Sequence, residues 1–391
     1  MATELTQFTN DPLIVDMLSA YQQTPYHALD WLANGSMYHY GAALFSYFVD
    51  QVYGSGNGAL LGAAWRGAMQ PGVVHIVDGW AESTTPNEPD LLDSLHQVIT
   101  DNGGNFDEAF GTFAVYRYFI GSYDDGAHFA HADQWTGAEV RLERRYYPDE
   151  LPVVGKWAED PPEHLGSSYI AFDVGALTGP HALRLDFEGD AATRWDVRVL
   201  GIGDGAARET PISIDAATVM GSVIVPVAGL MRVVLVATNL GDDSHDPDEY
   251  VWPNNSFAYS GGLLECPAPT IEAVTPRVLI AGETTTTTVS GSGFMGGQKL
   301  AVTPGGAGIE VTGLVRRDVN TMDVTFAVDA NANSGGRDLT IELECGQSVV
   351  APRAIAIEAA GGCRAAPTAT AWGLAVLALA VAGCRCRRAR R

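Results

Sequence analysis

In the stretch ALRLDF, residues 182–187, Leu183, Leu185 and Phe187 fall on one side of an extended chain, and Arg184, Asp186 and Glu188 fall on the other. A period of two is the mark of a strand with one buried face. YIAFDV, WDVRVL, SVIVPV and MRVVLVATN share the β-branched content, and glycine-rich turns separate them. Short strands of this kind must close a core by stacking two sheets. They predict an antiparallel β-sandwich over residues 166–262.

Before the sandwich the period changes. Met37, Tyr40, Leu44, Phe48 and Val52 recur at helical spacing across Met37–Tyr53, with Gly54 placed to stop the helix. Leu60, Leu61, Ala64 and Trp65 mark a short second helix. Pro89 opens a third at its first turn, with Leu91, Leu92, Leu95, Val98 and Ile99 inside and Gly103 after it. Asn105 is a good cap for a fourth, Glu108 completes a capping box, and Phe106, Phe110, Phe113 and Ile120 form its apolar face. Residues 121–165, rich in Pro, Asp and Gly, read as a connector.

A new unit begins at CPAPTIEAVTPRVLIAGE. Pro269, Ile271, Val274, Pro276, Gly282 and the GSGF of Gly291–Phe294 resemble the start of an IPT/TIG immunoglobulin-like domain, and the likeness runs to about Ile357. The resemblance implies a spacer or binding module with glycines at its turns. Cys266 and Cys345 bracket the unit and could form a disulfide in an oxidising compartment, or be two unrelated buried thiols.

The run Ala365–Gly383 holds 19 residues without a charge. As a helix it would extend about 28 Å, close to a bilayer core. The arginines after it would stay cytoplasmic, leaving the rest of the chain outside. A buried core helix is the alternative, ill suited to ending against an arginine cluster. Gly-Gly-Cys, Pro367, Trp372, the Leu/Ala run and the arginines resemble the MYXO-CTERM sorting tail of myxobacterial surface proteins. That resemblance implies a sorting protease acting near Cys363, lipid attachment at that cysteine, and a location on the bacterial cell envelope. Cys384 and Cys386 depart from the pattern.

Charge agrees with export. The chain has 391 residues and a net charge of −24. Of 23 basic residues, six arginines follow Cys363, which leaves 17 against 47 acidic residues in 1–363, or −30. Such a surface repels nucleic acid, so no nucleic-acid partner is expected.

YHYGAALFSYFVDQVYGSG and FDEAFGTFAVYRYFIG, within roughly residues 25–260, resemble the part of a family of myxobacterial zinc metallopeptidases that follows the zinc-binding helix. The resemblance implies a catalytic unit followed by a sandwich. The His-Glu-x-x-His helix such enzymes need is missing from this sequence, so zinc is expected in a longer relative and no cofactor in this chain. Only His128 and His131 stand close together, and without a third ligand they read equally as part of a polar loop. Asp242, Asp243, Asp246 and Asp248 are weak calcium candidates, since acidic loops are usually just solvated.

The sequence therefore reads as a multidomain α+β chain. A helical N-terminal part (1–120) and a connector (121–165) precede the antiparallel β-sandwich (166–262) and the Ig-like β-sandwich (266–357). A sorting tail (361–391) follows, with a C-terminal transmembrane helix at 365–383. Two functions are open. The chain is the accessory, non-catalytic C-terminal portion of a surface zinc peptidase whose signal peptide and zinc helix lie upstream. Alternatively it is a surface binding, adhesion or display module for an extracellular protein or polysaccharide. A hollow beside Tyr38 and Tyr40, where a zinc helix should pack, speaks for the first; a closed core there speaks for the second.

Overall fold

The computed structural model describes residues 12–31, 35–68, 74–77, 80–83, 89–205, 207–241, 255–294 and 299–360. The chain is mostly β-sheet, arranged in several sheets behind a helical N-terminal part. Among the described residues no helix is long and apolar enough to cross a membrane; the apolar run 365–383 lies outside them.

The helical part opens with α1 (Pro12–Gln22), followed by α2 (Tyr38–Gly41), α3 (Ala43–Val52) and α4 (Ala59–Gly67). A hairpin of β1 (Val74–Val77) and β2 (Trp80–Ser83) precedes α5 (Leu91–Asp101) and α6 (Phe106–Tyr118). The single helix expected over Met37–Tyr53 is broken at Ala42. Gly41 sits against the Met17 carbonyl and Tyr21 of α1, where any Cβ would collide. Of the expected apolar positions, Leu44 and Phe48 are fully buried, while Tyr40 and Val52 stay 45% and 39% exposed; Tyr38, Phe45 and Val49 are buried as well. Pro89 lies just before α5, whose cap is Asp90. Asp90 accepts from the Asp93 amide at 2.9 Å, and the Asp93 carboxylate accepts from the Asp90 amide at 3.2 Å. Asn105 caps α6 by accepting from the Glu108 amide at 3.0 Å.

The first sandwich holds β3 (Arg144–Tyr146), β4 (Val153–Trp157), β5 (Ser167–Asp173), β6 (His181–Gly189), β7 (Trp195–Gly203), β8 (Arg208–Pro211), β9 (Met220–Pro226), β10 (Leu230–Asn239) and β11 (Phe257–Glu265). One sheet runs β3-β5-β10-β7-β8, the other β4-β11-β6-β9. The stretch expected to be a connector thus supplies an edge strand to each sheet, and the sandwich begins near residue 144, ahead of the predicted 166. β3 pairs parallel to β5, so the first sheet is mixed rather than purely antiparallel. Leu183, Leu185 and Phe187 are buried between the sheets, as their spacing requires.

β10 is buried on both faces. Val233 and Leu235 join the sandwich core, while Val234 and Val236 pack outward against Ala114, Val115, Tyr118 and Phe119. That double burial is why MRVVLVATN reads as a nearly continuous apolar run. α6 is correspondingly buried on most sides, with Phe110 and Phe113 in the helical core and Tyr118 on the sheet. The Tyr169 hydroxyl donates to the Ala114 carbonyl at 2.7 Å across this seam.

The second sandwich comprises β12 (Thr270–Thr275), β13 (Val278–Ile280), β14 (Thr284–Ser292), β15 (Leu300–Pro304), β16 (Ile309–Arg316), β17 (Thr321–Val328), β18 (Gly335–Leu343) and β19 (Ser348–Glu358). Its sheets run β12-β14-β17-β16 and β13-β19-β18-β15 over a core that includes Leu279, Phe294, Val324, Phe326 and Ile341. Cys266 and Cys345 are bonded, with Cα atoms 6.3 Å apart. They sit in an apolar cluster with Ala182 and Ile224 of the first sandwich and Leu343 of the second, so the bond lies at the joint between the two.

Candidate functional site

A cavity of about 970 Å³ opens where the end of α6 meets the rim of the five-stranded sheet. Tyr118 and Phe119 come from the helix end and Tyr123 from the turn after it. Arg145 and Tyr147 come from β3 and the residue just past it, Asp173 from the end of β5, and Arg232 from the start of β10. The turn between β7 and β8 forms the far wall with Ile202 and Ala207.

Alternation along Arg144–Tyr147 divides the side chains. Arg145 and Tyr147 line this cleft; Arg144 and Tyr146 line a smaller hollow of about 390 Å³ beside the exposed Trp157. Tyr146 is buried, and its hydroxyl lies 3.0 Å from that of Tyr259.

The charges of the cleft are organised around Asp173. One carboxylate oxygen accepts from Arg145 Nε at 2.6 Å, and the other accepts from Arg232 Nε at 2.8 Å. Arg232 Nη1 also donates to the Tyr118 hydroxyl at 3.4 Å. Each guanidinium lies by a ring, Arg145 5.2 Å from the centre of Tyr147 and Arg232 5.7 Å from that of Tyr123. Tyr123 in turn stacks on Tyr118, with centroids 5.0 Å apart. Burial pushes the Asp173 carboxyl up, but hydrogen bonds from Arg232 and Arg145 outweigh it and hold it below the usual aspartate value. Burial opposes the charge on Arg232; its bonds to Asp173 and Tyr118 overcome that and raise it above the usual arginine value. Burial raises Tyr118, with Arg232 acting against it.

Asp124 and Asp125 close the floor. Asp124 Oδ1 accepts from the Gly126 amide at 3.1 Å. Asp125 Oδ1 accepts from the Ala127 amide and meets His128 Nδ1 at 2.8 Å, while Asp125 Oδ2 is buried with no hydrogen-bond partner.

Of the residues singled out from sequence, Cys266 and Cys345 are bonded to each other, while His128 and His131 each have a different side-chain partner. His128 is held by Asp125 and stacked on Phe119 at 3.9 Å, just beneath the cleft. His131 is exposed, in a left-handed conformation with φ 65°, and its Nδ1 lies 3.4 Å from Gln134 Nε2. Among the described residues no group of three or more His, Cys, Asp or Glu is placed to hold a metal. Asp242, Asp243, Asp246, Asp248 and Cys363 lie outside the described residues. Tyr38 is fully buried, with its hydroxyl within 2.9 Å of the His27 carbonyl and 2.8 Å of the Ala28 carbonyl, whereas Tyr40 is 45% exposed. Tyr118, Tyr123, Arg145, Tyr147, Asp173 and Arg232 were not picked out from sequence. The one signal available was the RRYY run, whose period of two sends an Arg–Tyr pair to each side.

Residues 268–352 match the family model described as quinohemoprotein amine dehydrogenase, alpha subunit domain III. The match covers the second sandwich alone, a β-rich domain of Ig-like type. No curated protein matches the sequence. Among solved structures, a DUF4785 family protein from Legionella pneumophila aligns at 10% identity over 51% of this chain and 62% of that one, with a TM-score of 0.19. At that score the alignment carries no argument about this fold.

Proposed function

We propose that the chain is an exported surface protein that binds a ligand in the cleft at the seam between its helical part and its first sandwich. The single observation that carries the binding reading is the cleft itself; the surface location rests on the resemblance of the tail. Its charges are already paired, its tyrosines are held by arginines, and its walls come from elements fixed in two cores. Tyr38 is buried while Tyr40 is 45% exposed, so the self-standing binding and display module is preferred here on the cleft, with the accessory portion of a zinc peptidase as the second reading.

In this reading residues 266–357 form an IPT/TIG-like spacer, and residues 361–391 are a MYXO-CTERM-like tail through which the chain meets the membrane and a sorting protease. The acidic surface keeps it soluble outside the cell and away from nucleic acid. The test is protease shaving of intact myxobacterial cells that express the chain. The surface reading expects digestion without lysis, and loss of surface display when residues 361–391 are removed. A chain that resists protease until the cells are broken would overturn it.

A further inference from the structure

We infer that the cleft takes a neutral oligosaccharide, with a sugar ring packed on Tyr147 and hydroxyls held by Arg145, Arg232 and Asp124. This rests on the reading of the chain as a surface binding module and names the ligand class of that same site.

The polar groups decide the chemistry. Arg145 commits Nε and Nη2 to Asp173, and Arg232 commits Nε to Asp173 and Nη1 to Tyr118. Each guanidinium therefore keeps one terminal nitrogen with no protein acceptor among the described residues. Beside these donors lie two carboxylates: that of Asp124, with one oxygen used by a backbone amide, and that of Asp125, whose Oδ2 is buried and unpartnered. Asp125 Oδ2 is closed off from solvent and serves only as nearby negative charge, so the acceptor a ligand hydroxyl reaches is the second oxygen of Asp124. A hydroxyl donates and accepts through one oxygen, so a polyhydroxyl ligand serves both sets at once. An acidic sugar or a phosphate suits the arginines but meets Asp124, Asp125 and a chain of net charge −24. A cationic peptide suits the aspartates but meets two arginines. Like-charge contact of either kind costs affinity.

The apolar groups fit the same ligand. Tyr147 is 47% exposed at the mouth, and Arg145 steadies its ring. A fixed aromatic ring with solvent on it is a platform for the C–H face of a pyranose. Met231, next to Arg232 on β10, is 55% exposed and adds apolar surface to the lining. The 970 Å³ lies at the roomy end of the roughly 300–1,000 Å³ typical of small-ligand clefts, which suits several sugar units rather than one.

The test is calorimetric titration of the full-length chain, in a zwitterionic detergent, with cellohexaose, xylohexaose, maltohexaose and laminarihexaose. Oligogalacturonate provides an acidic arm and tryptic casein peptides a polypeptide arm. At least one neutral hexasaccharide is expected to bind saturably, and Tyr147→Ala and Arg145→Ala each to weaken it by about tenfold or more. The Tyr147 side chain is about half exposed, so Tm and near-ultraviolet circular dichroism of Tyr147→Ala should hold; Arg145→Ala also removes one of the two Asp173 partners and is read at matched folded fraction, and Tyr40→Ala, on the helical part, should leave affinity unchanged. Failure of all four neutral sugars overturns the inference. So does binding that neither cleft variant moves, or binding confined to the acidic or the peptide arm. Protease shaving reads a different property. A displayed chain that ignores sugars removes the ligand class and leaves the surface reading standing; a sugar-binding chain found inside the cell does the reverse.

Discussion

Asp173 holds two arginines from different strands, and its titration reports on that clamp. Its folded carboxyl lies below the usual aspartate value, which is about 3.9 in an unfolded chain. A depressed carboxylate contributes stability that is present above the unfolded value and lost as pH falls through the folded one. Urea denaturation of wild type and Asp173→Asn should therefore show a stability difference that is constant from neutral pH to about 5 and shrinks below about 4. A difference that stays flat to the acid limit would mean the clamp adds nothing to the fold. Arg117 makes the contrasting case. It is fully buried and makes no ion pair among the described residues; instead Nε donates to Gln22 Oε1 at 2.9 Å, and the guanidinium lies 4.0 Å from the Tyr21 ring centre. Gln22→Ala strips a buried cation of its side-chain acceptor, leaving only the Tyr21 carbonyl at 3.4 Å, and should cost about 1–3 kcal/mol in chemical denaturation. Neither residue announced its role, because a lone Arg or Asp in a sequence carries no record of what folds against it.

The elements explain what could be read and what could not. Strands with one buried face, such as His181–Gly189, declare themselves through alternation, and capped helices such as Phe106–Tyr118 through their first turn. β3 and β4 were hidden because three and five residues among prolines and acids are too short to show a period. α1 was missed for a related reason: its five apolar residues in six, LIVDML, give no clear stripe. The cleft was illegible because it draws on five separate parts of the chain that only the seam between α6 and the sheet brings together. Gly111 sets that seam. A Cβ there would lie 2.5 Å from the Asp196 carboxylate carbon and 2.7 Å from Arg198 Nη2, within the network joining Arg198 to Asp196, Glu209 and Thr112. Glycine to alanine inside a helix ordinarily stabilises by about 0.5–1 kcal/mol. Gly111→Ala should instead destabilise by about 1–3 kcal/mol as α6 is pushed off the sheet. Gly62→Ala is the control: on α4 the new methyl meets only Arg66 Nη1, at 3.5 Å, and Tm should rise slightly. Equal shifts for the two variants would mean that the seam has room to spare.

At the scale of the whole molecule, the joint and the cleft share one end of the first sandwich. Asp173 ends β5 and lines the cleft, and the chain from Val174 to Pro180 leads to the joint, where the Pro180 carbonyl accepts from the Cys266 amide at 2.8 Å. The same path is tied laterally. The Met231 carbonyl, at the cleft wall, accepts from the Val174 and Gly175 amides, and the His181 carbonyl accepts from the Val227 amide. Gly346, next to Cys345, packs close to Pro226 at the end of β9, where a Cβ would lie 3.2 Å from its ring. The disulfide therefore fixes the second sandwich to the strand ends from which the cleft loops spring. Closing a chain segment of 79 residues, it should contribute about 2–5 kcal/mol to stability. Losing it should also loosen the cleft. Hydrogen exchange of Cys345→Ser, and of wild type under reductant, should speed at 174–181 and 227–231 as well as at the joint near Cys266, and oligosaccharide affinity should fall with it. Faster exchange confined to 264–270 would show that the two sandwiches are merely tethered. In that case the geometry of the cleft belongs to the first sandwich and the helical part alone.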